Sequence, residues 1–113
     1  LADPGLQSTA TEAHRRLGPD VLGEVERSYP AAPPEVRKLL VDLAGRMDDP
    51  AAGRLLLAAL GDPSAEVRAE AALALGDGER REALRALMDL KAQDPSPDVR
   101  KAAAQSLKKL APR

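Results

Sequence analysis

Residues 62–76 read "DPSAEVRAEAALALG", and residues 94–110 read "DPSPDVRKAAAQSLKKL". The second stretch nearly restates the first, 32 residues further along. Val36, Val67 and Val99 stand in one shared frame: Glu35-Val36-Arg37, Glu66-Val67-Arg68 and Asp98-Val99-Arg100, spaced 31 and 32 residues apart. Self-similarity at a fixed period of roughly 20 to 50 residues marks a protein built of stacked repeats.

Each period holds two helical patterns. After each valine, small or apolar residues recur at +4, +7 and +8: Leu40, Leu43 and Ala44; Ala71, Ala74 and Leu75; Ala103, Leu107 and, as the exception, Ser106. That spacing lays them along one face of an amphipathic helix. A shorter helix precedes each one. Val21, Val25 and Tyr29 line the first, Leu55, Leu56, Ala59 and Leu60 the second, and Leu84, Leu87 and Met88 the third.

Pro19, Pro34, Pro50 and Pro97 suit a first helical turn, where the missing N–H costs nothing. Ser64 and Ser96 are placed to cap the two best-defined long helices. Gly18, Gly61 and Gly76 follow apolar runs, where a left-handed C-cap belongs. The pattern predicts helices near 6–17, 19–29, 34–47, 50–60, 65–76, 79–93 and 97–110. The first reads as half of an incomplete repeat, since Ala13, Leu17 and Gly18 match Ala71, Leu75 and Gly76.

One helical hairpin cannot bury its apolar face alone, whereas stacked hairpins share a continuous core. The expected fold is all-α. It is a right-handed α-solenoid forming a single domain over 1–113, with a half-repeat at 1–18 and repeats at about 19–48, 49–77 and 78–113.

Composition agrees. Hydrophobic residues make up 43% of the chain, enough for a core, yet Phe and Trp are absent and Tyr29 is the single aromatic residue. Strands favour aromatic and β-branched residues, while Ala, Leu, Arg and Glu favour helix. Seventeen basic and eighteen acidic residues nearly cancel, which argues against a generic polyanion binder. With no cysteine, there is neither a disulfide framework nor a thiolate metal site. No apolar run approaches a membrane span, and no basic start followed by an apolar stretch suggests a signal peptide. A cytoplasmic location is expected. The chain opens on Leu1 rather than Met, which suits an excised or processed piece. Heavy Ala, Leu, Arg and Pro usage without Ile or Asn suits a GC-rich bacterial genome.

The motif D-P-x-x-E/D-V-R-x-x-A/L-A/L-x-x-L runs from Asp62 to Leu75 and again from Asp94 to Leu107, with a degenerate copy at Pro33-Pro34-Glu35-Val36-Arg37. It resembles the HEAT repeat family, in the short variety known as HEAT-like or phycobilisome-lyase-type repeats. The resemblance implies a ladder between adjacent repeats, in which a turn aspartate and an arginine six residues later form the rungs. Asp62 with Arg68 and Asp94 with Arg100 have that spacing. Arg37 has Ala31 where the aspartate belongs, so the ladder is expected to be incomplete there.

Chemistry is sparse. His14 is the only histidine, and without Cys or His neighbours it makes a poor metal ligand. Relatives that are metal hydroxylases use paired His-Glu steps, but Arg15 follows His14. Relatives resembling DNA glycosylases rely on aromatic grips that this chain lacks. Nothing marks a chromophore pocket of the bilin-lyase kind. Asp48-Asp49 before Pro50 reads as a helix start. Gly76-Asp77-Gly78 lacks the Walker lysine and serine and reads as a turn. Ser8, Ser28, Ser64, Ser96 and Ser106 have no histidine nearby in sequence to activate them. No catalytic residue, metal site or cofactor is expected.

What is left is a surface. At about 100° per residue, the side of each long helix opposite its valine holds Lys38, Val41, Asp42 and Gly45, then Ala69, Ala72, Leu73 and Gly76, then Lys101, Ala104, Gln105 and Lys108. Read as a concave groove, this face has an apolar middle and lysines at each end, a fair protein-binding patch. The expected function is a non-catalytic scaffold or adaptor, monomeric when isolated, that binds another protein through this face. The alternatives are a nucleic-acid contact through the basic residues Arg100, Lys101, Lys108, Lys109 and Arg113, or an accessory role to an enzyme of the lyase type. For the basic end, a soluble cap is the favoured reading.

Overall fold

The computed structural model describes residues 18–111, and its regular structure there is helical. The helices are α1 (Gly18–Ser28), α2 (Pro34–Gly45), α3 (Pro50–Ala59), α4 (Ala65–Asp77), α5 (Leu84–Gln93) and α6 (Pro97–Leu110), with 3-10 turns at Tyr29–Ala31 and Arg81–Ala83. The helix expected at 6–17, its half-repeat and His14 lie outside the described residues.

Helix starts follow the sequence signals. Pro34, Pro50 and Pro97 open α2, α3 and α6. The Asp49 carboxylate accepts the Ala51 N–H at 2.8 Å and caps α3. Ser64 and Ser96 cap α4 and α6 by accepting the N–H of Val67 and Val99. Asp62 and Asp94 accept the N–H groups of Ser64 and Ser96 at 2.8 and 2.9 Å, which locks the chain into the turn before each cap.

Helix ends depart from expectation. No described glycine has positive φ, and the residue that takes it is Glu79, at φ 53°. Gly76 lies inside α4, which runs on to Asp77. Its role is clearance: a Cβ there would sit 2.7 Å from the Cα of Ser106 on α6.

The helices form two rows. Along the inner row, α2, α4 and α6 lie side by side in extensive contact, whereas the outer helices α1, α3 and α5 touch one another little. Glycine sets the inner spacing. Gly45 of α2 faces Ala74 of α4 as Gly76 of α4 faces Ser106 of α6. Tight packing on one side and splaying on the other bend the stack, leaving the inner row on the concave side.

One apolar core runs through the layers. It includes Leu22 and Val25 of α1, Leu56 of α3, Leu75 of α4, Leu87 of α5 and Leu110 of α6. Each fully buried leucine stabilises the fold by about 1.5–3 kcal/mol. Ser106, the exception in the apolar pattern, is buried and donates its hydroxyl to the Ala72 carbonyl, tying α6 to α4.

Three expected core positions need correction. Leu22, not Val21, is the most buried residue of α1. Val36 is 41% exposed, while Val67 and Val99 are fully buried. Its helix meets α1 only lightly, so the first layer is less closed than the two that follow. Met88 is 59% exposed. The buried line of the third hairpin instead runs through Ala83 and Leu87, because the chain makes a 3-10 turn before α5 starts at Leu84.

Candidate interaction surfaces

The turns preceding α2, α4 and α6 lie along one end of the stack, where arginine and aspartate alternate. Arg68 donates Nε and Nη2 to the two carboxylate oxygens of Asp94 at 2.9 and 3.2 Å. Its Nη1 donates back to the Asp62 carbonyl of its own turn at 2.8 Å. Arg37 does the same one layer earlier, reaching Asp62 at 2.8 and 3.0 Å and the Ala32 carbonyl at 2.6 Å. The arginine of each repeat therefore holds its own turn by a carbonyl and the next turn by a carboxylate. Ala31 removes no rung between α2 and α4; it only leaves that first turn without a carboxylate of its own. Arg100 donates Nη1 to the Asp94 carbonyl at 2.6 Å, as its counterparts do.

Burial pushes the Asp62 carboxyl up, but the Arg37 guanidinium, the Tyr29 hydroxyl and the Ser64 N–H outweigh it and hold the group below the usual aspartate range. Asp94 is held down likewise, with burial opposed by Arg68 and the Ser96 N–H. The Tyr29 hydroxyl donates to Asp62; burial and that carboxylate push it far above the usual phenol range.

A second clamp closes the opposite end of the stack. Arg80, in the connection between α4 and α5, donates Nη2 to the Met47 carbonyl at 2.6 Å and Nη1 to the Asp49 carbonyl at 3.2 Å. Met47 lies just past the end of α2, and Asp49 is the N-cap of α3, whose carbonyl also accepts the N–H groups of Ala52 and Gly53. Arg81 reaches the other way and donates to the Leu110 carbonyl at 2.7 Å. The sequence reading missed both. Gly53, buried mid-helix in α3, was the available signal, since a Cβ there would sit 2.8 Å from Arg80 Nη1.

The face assigned to the groove is mostly the stacking face. Val41 and Ala72 are fully buried. Gly45 and Gly76 on the same side press against the next inner helix. A helix within the row has a neighbour on each flank, so the side opposite its valine packs on the next layer. On α6, Lys101, Gln105 and Lys108 are exposed and Ala104 is partly covered.

The open concave ridge lies about a quarter turn away. It carries Leu39 and Asp42 on α2, Glu66, Glu70 and Leu73 on α4, and Gln105 on α6. Leu39 is 66% exposed. Lys38 and Ala69 flank it. The Glu70 carboxyl is raised, first by partial burial and then by the charges of Asp42 and Asp77, with Lys38 and Arg46 opposing. Charges on α2 and α4 thus share one continuous surface. Of the positions assigned to the groove, Asp42, Leu73 and Gln105 fall on the ridge, and Val41 and Ala72 leave the surface altogether.

No helix among the described residues is long and apolar enough to cross a membrane. The family model described as HEAT repeats matches residues 19–108. No curated protein and no solved structure matches the chain.

Proposed function

The chain belongs to the HEAT repeat family, whose repeats generally mediate protein–protein interaction, and from that premise we propose that it is a non-catalytic scaffold that holds a protein partner on its concave ridge. The observation that carries this reading is Leu39, 66% exposed on α2, with the partly buried Leu73 on the neighbouring inner helix, amid Asp42, Glu66 and Glu70. Apolar side chains rimmed by charge offer a partner buried contact area together with polar orientation.

Site-specific photocrosslinking in intact source cells tests it. A crosslinker at position 39 or 73 is expected to capture one discrete protein, while one at Arg54 or Arg85 on the outer row captures none. Equal labelling from both rows, or none from the ridge, would sink the proposal.

A further inference from the structure

We infer, on the reading that the concave ridge holds a protein, that this partner presents an amphipathic helix in which a cationic side chain stands between two apolar ones. The cation seats against Asp42 and Glu70, and the apolar groups against Leu39 and Leu73.

The repeat frame makes Glu70 an exception. Leu39, Glu70 and Ala102 hold equivalent positions on α2, α4 and α6, and the other two are apolar. Ala102 is 5% exposed. Stacking therefore favours an apolar residue here, and α4 puts a partly buried carboxylate in its place. Asp42, Leu73 and Gln105 are the next set of equivalents, and in that set only α4 supplies an apolar residue. The two helices thus carry leucine and acid in opposite order: Leu39 then Asp42 on α2, Glu70 then Leu73 on α4. The acids lie on one diagonal and the leucines on the other. Inner helices about 8–10 Å apart, with three residues of rise between the levels, put the leucines about 10 Å apart, close to two turns of a partner helix. The middle of such a helix lies over the two acids.

The charges at that crossing call for a cation. Asp42 and Asp77 both raise the Glu70 carboxyl, after partial burial, against the opposing charges of Lys38 and Arg46. Arg46 reaches only Asp42, at 3.3 Å, and its side chain is 75% exposed. Lys109 engages Asp77. Among the described residues no cation bridges Glu70. A group that lowers stability where the fold favours an apolar residue is accounted for by what it binds. Because α4 lies between α2 and α6, this surface belongs to the middle of the stack and not to either end.

The probes are three acetylated, amidated alanine-based helical peptides. Each carries leucine one turn before and one turn after a central residue, which is arginine, glutamine or glutamate. They are titrated into the 15N-labelled full-length protein while the amide signals of Glu70 and Leu73 are followed. The arginine peptide is expected to bind at least about tenfold more tightly than the glutamine peptide, the difference a charged hydrogen bond makes. The glutamate peptide is expected not to bind. Glu70→Gln should erase the preference for arginine while the variant stays folded, and Arg85→Gln on the outer row should leave it intact. Equal binding of the arginine and glutamine peptides overturns the inference, as does a preference that survives Glu70→Gln or the absence of any shift. Displacement by spermidine at matching concentration would mark a bare acidic patch, and the same shifts from unlabelled protein alone would mark self-association; each overturns it. Crosslinking at positions 39 and 73 judges the ridge separately, so discrete capture there without an arginine preference leaves the ridge standing and removes only the cation.

Discussion

The Arg37 guanidinium and the Asp62 carboxylate meet fork to fork at 2.8 and 3.0 Å, although they stand 25 positions apart in the chain. The aspartate side chain is 2% exposed and the arginine 14%. In one contact the first layer is joined to the second, and the same carboxylate also fixes the turn that begins α4.

Removing Asp62 leaves Arg37, the Tyr29 hydroxyl and the Ser64 N–H without their shared acceptor. Breaking a buried pair from one side costs about 3–5 kcal/mol. Asp62→Ala is expected to fall in that range by urea denaturation. Asp94→Ala should cost less, because no tyrosine shares that carboxylate.

The same two aspartates set the response to acid. Their folded pKa values lie below those of the unfolded chain, about 3.9. Between the two values the unfolded chain binds more protons, so stability rises with pH. The contribution is complete at neutral pH and is lost as pH falls through the folded values. Unfolding monitored by circular dichroism should steepen below about pH 4, and Asp62→Asn should flatten that slope.

Glu70 acts with the opposite sign. Its folded pKa is raised by partial burial and by the acidic neighbours Asp42 and Asp77. The advantage this gives the fold is present below the ordinary glutamate pKa and is lost as pH rises through the folded value. Glu70→Gln is therefore expected to raise Tm at pH 7 and to leave it unchanged near pH 3.

The two inner-row glycines respond differently to a methyl group. At Gly45 the added Cβ would meet the Ala74 Cβ at 2.8 Å, while the Ala74 backbone is 3.8 Å away. Gly45→Ala should cost about 1–3 kcal/mol by overpacking, and Ala74→Gly in the same chain should restore most of it. At Gly76 the obstacle is the Ser106 backbone itself, so Ser106→Gly should not rescue Gly76→Ala. Thermal denaturation of the four variants decides both.

Arg80→Ala should loosen the start of α3 more than any other helix. Losing charged hydrogen bonds to two carbonyls costs about 1.5–3 kcal/mol. Hydrogen exchange should speed up at Ala51–Gly53, and Gly53→Ala, which crowds Arg80, should reproduce part of that effect.

The period, the helix pairs and the capping turns were legible because each is written locally. Asp62 with Ser64, and Val67 with Ala71 and Leu75, lie within a few turns of one another in sequence. The flank of an inner helix that packs on the next layer was not legible in the same way. Ala72 and Gly76 are as small as surface residues often are, and a helical wheel drawn for one repeat has no neighbours on it. Val41 looked like the apolar middle of a groove for that reason. The Arg80 clamp left little trace because main-chain carbonyls accept it, and these have no sequence signature.

Arg80 and Arg81 stand next to each other and pull in opposite directions, one on the layer behind and one on the layer ahead. Exposed connections between helices are where chains usually gain extra residues without harm. Lengthening the connection between α4 and α5 would release both grips together. Tags, loops or inserted domains are therefore expected to be tolerated badly at this connection, although Gly78 and Glu79 within it are exposed.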